Sequence, residues 1–347
     1  MQWSTRYQNT AFVISICRRR RPRFGRRSRL PRKTPRSVWD MPKEQSVSIG
    51  DGENTLFGTL TLPENTKSFD AVLIWSGSGP TDRDGNFIGH NNNCLEMLAH
   101  CLAEAGYASL RTDKRGIGES MEAMGPEADL RFENFVEDAV GWAMFLKNFS
   151  GARHVFLLGH SEGALVQTIA AQMFEAAGLL LLAGTGFRAA DILRRQLSAP
   201  DINISEPLLT ETYEIIEALE EGRVVQSVSA DLDAQFRPTI QPYLISWFAL
   251  DPQEELAKTS VPVLVIQGTT DMQITVEDSE RLSLARPGID FVKINGMNHV
   301  LKDAPKYKPS NYATYGKPLL PLAGNLMPTI TEFLDVQAQA ASAANDR

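Results

Sequence analysis

Val155-Phe156-Leu157-Leu158-Gly159-His160-Ser161-Glu162-Gly163-Ala164-Leu165-Val166 is the stretch on which the reading of this 347-residue chain turns. Four consecutive apolar residues read as a buried strand, and Ala164-Leu165-Val166-Gln167-Thr168-Ile169-Ala170-Ala171 reads as a helix. Between them, glycines two before and two after Ser161 let the two backbones pass closely while the serine takes a strained turn conformation. Its hydroxyl is then held clear of the sheet edge, the geometry of a nucleophile elbow. A bare Gly-x-Ser-x-Gly string arises by chance in about one chain in ten of this length. The strand before it and the helix after it carry the specificity.

Moving outward, Ser46-Val47-Ser48-Ile49, the turn Gly50-Asp51-Gly52 and Leu56-Phe57-Gly58-Thr59-Leu60-Thr61-Leu62 alternate as an antiparallel hairpin does. Ala71-Val72-Leu73-Ile74-Trp75 is a continuous apolar strand that breaks into Ser76-Gly77-Ser78-Gly79-Pro80. Leu95, Leu98, Leu102 and Ala105 recur at helical spacing, Tyr107-Ala108-Ser109-Leu110-Arg111 forms the next strand, and residues 132–146 form an amphipathic helix leading into the Ser161 strand. Leu179-Leu180-Leu181-Leu182-Ala183 continues the rhythm. Strands that are apolar throughout, alternating with helices, predict a mostly parallel sheet covered on both faces. From 186 to 259 the chain reads as helical with no strand, an insertion; the strand pattern resumes at Val261-Pro262-Val263-Leu264-Val265-Ile266, with a helix over 276–285, a strand at Phe291-Val292-Lys293-Ile294 and a last helix around 329–336. The expected organisation is a core over 41–185 and 260–337, a helical cap insertion over 186–259, and a disordered end over 338–347.

An elbow serine needs a base. His160, its neighbour, points away from it on so tight a turn and reads as structural. His100 lies within an amphipathic helix, His154 starts the elbow strand at the far edge, and His90 lies in an Asn-rich loop. His299 alone follows a late parallel strand directly, where catalytic groups gather in open α/β sheets. The orienting acid should lie between nucleophile and base along the chain. Asp271, just after a buried strand, meets that order; Asp278 and Glu280 fall on the following helix, Asp290 at the wrong end of a strand, and Asp303 beyond His299. Acyl transfer also needs two backbone N–H donors for the developing oxyanion. Glu162, next after the nucleophile, supplies one, and Ser78 in the Gly-rich loop the other, with Gly77 as the alternative donor.

These residues resemble the α/β-hydrolase fold superfamily from about Val47 to Val336. Ser-Gly-Ser-Gly-Pro-Thr-Asp-Arg-Asp-Gly from Ser76, Asp113-Lys114-Arg115-Gly116-Ile117-Gly118-Glu119-Ser120, the elbow, Gly268-Thr269-Thr270-Asp271-Met272-Gln273-Ile274 and Asn298-His299 are similar to a branch of bacterial EstD-like carboxylesterases related to the serine aminopeptidase-like hydrolases. The resemblance implies Ser161 as nucleophile, Asp271 as acid, His299 as base and a cap formed by the insertion. It departs at Ser76, where many relatives carry His. The Asp113-Lys114-Arg115-Gly116 segment reads as loop structure near the site.

Composition bounds the rest. Residues 1–40 hold 12 Lys or Arg against Asp40 alone, which leaves 23 basic and 41 acidic residues from Met41 onward, a balance of −18. The basic stretch reads as a disordered tail, a cleaved leader, a basic arm, or upstream sequence before a start at Met41. An acidic body weakens any nucleic-acid or membrane-surface role. Cys17, Cys94 and Cys101 offer neither a disulfide framework nor paired metal-ligand spacing, so a reducing, cytoplasmic setting is expected. No stretch approaches the ~20 apolar residues of a membrane span. The expected activity is hydrolysis of a small-molecule acyl ester of short to medium chain without metal or organic cofactor, and no nucleic-acid partner; the oligomeric state is open. Aminopeptidase-like or thioester hydrolysis is the nearest rival, and a non-catalytic binding protein on the same fold is the rival from another class. Phe187, Ile192, Leu193, Leu197, Leu208, Leu209, Trp247 and Phe248 are expected to pack the insertion and line an apolar acyl pocket, whereas Glu211, Glu214, Glu217, Glu220 and Glu221 form a solvated helix face.

Overall fold

The computed structural model describes residues 42–64, 66–87, 89–199 and 204–345. The basic stretch over 1–40 lies outside the described residues.

Alternating polar and apolar side chains pair β1 (Lys43–Ile49) with β2 (Leu56–Leu62) as the antiparallel hairpin that the pattern predicts. Then β3 (Phe69–Trp75), α1 (Cys94–Glu104), β4 (Ala108–Thr112), α2 (Phe132–Lys147), β5 (Ala152–His160), α3 (Glu162–Met173) and β6 (Gly178–Leu182) follow in strand–helix rhythm. The insertion contributes α4 (Ala189–Leu197), α5 (Glu206–Glu220), α6 (Asp233–Phe236), α7 (Gln241–Phe248) and α8 (Pro252–Ala257), with no strand among its described residues. After it come β7 (Val263–Gly268), α9 (Val276–Ser283), β8 (Ile289–Ile294), α10 (Lys308–Tyr312) and α11 (Leu326–Asn345). The sheet order is β1-β2-β4-β3-β5-β6-β7-β8, antiparallel across β1, β2 and β4 and parallel from there on.

Both faces of the parallel strands are buried, so their side chains divide by parity. Leu73, Leu157, Leu179 and Val265 face α2, α3 and the insertion, while Val72, Ile74, Phe156, Leu158, Leu180 and Ile266 face α1 and α11. Register sets the working end: Trp75 stands opposite Gly159, His160 opposite Leu182, and Gly268 opposite Ile294. The loops carrying Ser78, Ser161, Asp271 and His299 therefore leave the sheet along one edge.

One expectation is corrected. Residues 338–345 are helical and continue α11 rather than forming a disordered end. Alanine has the highest helix propensity, and Ala338 packs into the cluster beside α1, which carries the helix past Val336.

Candidate active site

The elbow is a steric consequence of its two glycines. A Cβ on Gly159 would stand 2.1 Å from the carbonyl oxygen of Gly163, and one on Gly163 would stand 2.6 Å from the carbonyls of Trp75 and Ser76. Strand, helix and neighbouring loop thus cross with no room for a side chain. Ser161 takes φ +57° and ψ −123°, a region that costs a non-glycine residue about 1–3 kcal/mol and persists only where the surroundings hold it. Its N–H donates to Leu182 O at 2.9 Å, so the turn is tied to β6.

Two turns bring the other side chains in. After β7, Asp271 Oδ1 accepts from the backbone N–H groups of Gln273 (2.8 Å) and Ile274 (3.0 Å), and Oδ2 accepts from Gln267 Nε2 (3.3 Å) and stands 2.8 Å from His299 Nδ1. The Asp271 side chain is 1 % exposed. With Nδ1 on the carboxylate, the imidazole presents Nε2 outward, the tautomer that can accept a proton. After β8, His299 is held from its backbone as well: His160 Nε2 donates to His299 O at 2.8 Å, and the two rings lie 4.8 Å apart. Burial, with the His299 charge adding to it, lowers the His160 pKa to about 3. His160 is therefore neutral and acts as a brace, as its place on the turn predicts. The other histidines are engaged elsewhere: His100 with Glu44 and His154 with Asp70, each at 2.9 Å, and His90 against the Phe87 ring at 4.7 Å.

The loop after β3 lies against Ser161. A Cβ on Gly77 would come within 3.0 Å of Ser161 Cβ and 3.5 Å of its Oγ. Ser78, Ser161 and Glu162 line one cavity of about 30 Å³, closed by Ala189, Ile192, Leu193 and Gln196 of α4, Trp247 of α7, and Thr185, Gln273 and Ile274. All six sequence-derived site residues (Ser161, Asp271, His299, Ser78, Gly77 and Glu162) thus fall at one end of the sheet. The acyl pocket is a correction in part. Ile192, Leu193 and Trp247 line the cavity, but Phe187, Leu197, Leu208, Leu209 and Phe248 do not; Phe187 carries the guanidinium groups of Arg195 and Arg281 over its ring, Phe248 is buried in the core, and Thr185, Gln196 and Gln273 make the wall more polar than expected. Sequence reading missed these three because nothing in their local pattern marks them. None of the five insertion glutamates lines the cavity: Glu211 accepts from Ser229, Glu220 from Arg194 and Glu221 from Arg223.

The Asp113-Lys114-Arg115 segment acts as a clasp. Asp113 Oδ1 accepts from Arg83 N (3.0 Å), Lys114 Nζ donates to Gly77 O and Gly79 O, and Arg115 Nε donates to Asp138 of α2 (2.8 Å). Three successive side chains therefore hold the loop after β3 at two places and α2 around the site. Among the described residues no group of three or more His, Cys, Asp or Glu is placed to hold a metal ion, and no helix is long and apolar enough to cross a membrane.

Sheet order, elbow and the loop after β3 define an α/β-hydrolase fold. A family model described as serine aminopeptidase, S33, matches residues 87–301, and the chain belongs to that family. It is similar to esterase EstD of Thermotoga maritima, with 28 % identity over 262 residues that cover 75 % of this chain and 60 % of the relative. The chain thus spans about three fifths of the length of that curated relative. Among solved structures, Est1E from Butyrivibrio proteoclasticus superposes with a TM-score of 0.53 at 18 % identity, covering 85 % of this chain and 99 % of that one. The α/β hydrolase GrgF from Penicillium sp. sh18 does so with a TM-score of 0.55 at 15 % identity, covering 86 % and 99 %. At these identities the two structures speak for the fold.

Proposed function

We propose that this chain is a serine carboxylesterase that cleaves esters of short to medium acyl chains through an acyl-enzyme. The observation that carries the reading is the Asp271–His299 pair, 2.8 Å apart, at the same sheet edge as a serine held at φ +57°. His299 Nε2 takes the Ser161 hydroxyl proton as Oγ attacks the ester carbonyl, while Asp271 keeps the imidazole in the right tautomer and faces the imidazolium that forms. The oxyanion is met by the N–H groups of Glu162 and Ser78. Collapse of the tetrahedral intermediate expels the alcohol, which takes the proton from His299, and water then repeats the sequence to release the acid.

Ester rather than aminopeptide hydrolysis is favoured by the cavity wall. An exopeptidase pocket must hold a free α-ammonium, yet the one carboxylate lining this cavity, Glu162, is 2 % exposed, with both side-chain oxygens shielded from solvent. An acyl chain instead meets Ile192, Leu193 and Trp247, gaining about 0.8 kcal/mol per buried methylene until the space is filled. EstD, an esterase by name, supports the same direction. Burial pushes the Cys94 thiol up to about 12, which leaves it inert as a nucleophile and Ser161 as the attacking group.

The test is kcat/KM across p-nitrophenyl esters and aminoacyl p-nitroanilides on one preparation. Ester turnover should rise from acetate to about butyrate or hexanoate and then fall, with the anilides far poorer; an anilide outrunning every ester would overturn the reading in favour of the peptidase. Ser161→Ala, His299→Ala and Asp271→Asn should each cost on the order of 10³-fold or more in kcat/KM with folding retained. A His299→Ala enzyme keeping a tenth of the wild-type rate would remove His299 from the role of base.

A further inference from the structure

Lys114 is a buried charge that the reaction scheme leaves unused. It follows β4, is 2 % exposed, and lies under the loop after β3 rather than in the cavity. Its Nζ donates to Gly77 O, and to Gly79 O at 3.0 Å, and stands 5.7 Å from the centre of the Phe135 ring. Burying an ammonium costs several kcal/mol unless it is paired and hydrogen-bonded. Burial accordingly pushes the Lys114 pKa down and that of the buried Glu162 acid up, each opposed by the charge of the other. A methionine or leucine would fill this place without that cost. What the ammonium adds is a grip on two carbonyl oxygens of one glycine-rich loop.

We propose that Lys114 is the positioning residue of the oxyanion hole, whose ammonium holds the Gly77 carbonyl and so aims the Ser78 N–H over Ser161. The inference rests on the serine-hydrolase reading above. Its geometry follows from the planar trans peptide, in which the C=O of one residue and the N–H of the next point in opposite directions. The described backbone contains no cis peptide bond. Gly77 O faces Lys114, which is absent from the cavity wall, so the N–H in the same plane, that of Ser78, faces the cavity that Ser78 lines with Ser161. The same plane decides between the two candidate donors: Lys114 orients the N–H of Ser78, not that of Gly77. Besides the ammonium, the side-chain hydrogen bonds that tie this loop are those of Thr81 Oγ1 to Ser78 O at 2.9 Å and of Ser76 Oγ to Thr81 O at 3.4 Å. A glycine-rich loop so loosely held samples other orientations of that plane.

The test is Lys114→Met, which keeps the apolar stem and removes the donors. Removing an oxyanion donor outright costs about 10²–10³ in kcat, so loosening one should cost about 10- to 100-fold. KM for p-nitrophenyl butyrate should stay within about twofold. Affinity for a trifluoromethyl ketone of the same acyl length, which forms the tetrahedral adduct, should fall by the same factor as kcat/KM, while affinity for the corresponding planar amide holds. Lys114→Gln, which retains a donor on a shorter neutral stem, should lose less than Lys114→Met, and it carries the test if the methionine variant does not fold: at least a threefold loss of kcat, matched by the ketone, is expected there. Wild-type kcat in either folded variant, or ketone and amide affinities falling together, overturns the proposal. Fluorophosphonate labelling separates the two readings. If Ser161→Ala labels and turns over like wild type, the serine-hydrolase reading fails; if it does neither while Lys114→Met turns over normally, only the role of Lys114 fails.

Discussion

The crossing of β5 and α3 under the loop after β3, and the junction of the helical insertion with the sheet, both shape the cavity over Ser161, but by different means. At the crossing the contacts are backbone against backbone: Gly159 on Gly163, Gly163 on Trp75 and Ser76, with the strained Ser161 between them. At the junction the contacts are side chains and charge. Arg281 of α9 donates to Gly186 O at the start of the insertion and to both carboxylate oxygens of Asp251 near its end, at 2.9 and 2.8 Å. Asp278 of the same helix accepts from Gly186 N (3.1 Å) and from Arg195 of α4 (2.5 Å). The guanidinium groups of Arg195 and Arg281 stand 5.3 and 5.0 Å from the centre of the Phe187 ring. Close backbone packing admits one arrangement, whereas contacts between long side chains tolerate adjustment. Ser161 is therefore set rigidly, and the wall above it is fastened at two points by α9.

The largest expected effect is at the crossing. Gly159→Ala puts a methyl group 2.1 Å from a carbonyl oxygen, and overpacking a filled site costs about 3 kcal/mol or more when the obstacle is backbone. Urea unfolding should show that loss together with most of the fluorophosphonate reactivity at Ser161. Gly324→Ala, where an added Cβ meets nothing within 4 Å, serves as the control. A Gly159→Ala protein as stable and reactive as the control would show that the crossing is less tight than these distances require.

A smaller effect concerns pH. His160 braces the crossing as a neutral ring with a pKa of about 3, against about 6.5 in an unfolded chain. Between those values the unfolded chain binds a proton that the native protein refuses, so stability is lost as pH falls through 6.5 toward 3. From pH 7 to pH 5 this group alone should remove about 2 kcal/mol. His160→Gln should be less stable at pH 7, through loss of the bond to His299 O, and should show a shallower decline on acidification. Equal slopes for the two proteins by urea titration would place the acid sensitivity elsewhere.

The smallest effect is expected at the junction. Arg281→Met removes the two bonds to Asp251 and the one to Gly186 O, but the guanidinium is partly solvated, so about 1 kcal/mol of stability should go. KM for butyrate and hexanoate esters should rise severalfold, with Ser161 still labelled at the wild-type rate. An unchanged KM would show that the insertion keeps its place over the cavity without α9.

What the sequence determined by itself is the part ruled by local backbone and by chain order. Apolar runs that break at Gly159-His160-Ser161-Glu162-Gly163 can form little but a strand, a sharp turn and a helix, and parallel strands bring every βα turn to one edge. Asp271 and His299 were legible for that reason, as the acid and the histidine that follow late strands in the right order. Even the hairpin β1–β2 and the helical character of the insertion follow from period-2 and period-3.6 patterning. Tertiary structure alone decided the partners of polar side chains. His160 reaches the carbonyl of a residue 139 positions away, Lys114 grips Gly77 from 37 positions away, and Gln196 and Gln273 meet at the cavity although 77 positions separate them. Phe187, apolar and apt for an acyl pocket, instead meets two guanidinium groups, and the Ala-rich end was carried on as a helix by packing beside α1. The reason is physical: hydrophobic periodicity reports which face of an element avoids water, a property of neighbouring residues. A hydrogen bond or ion pair depends on where two distant segments of the folded chain come to lie.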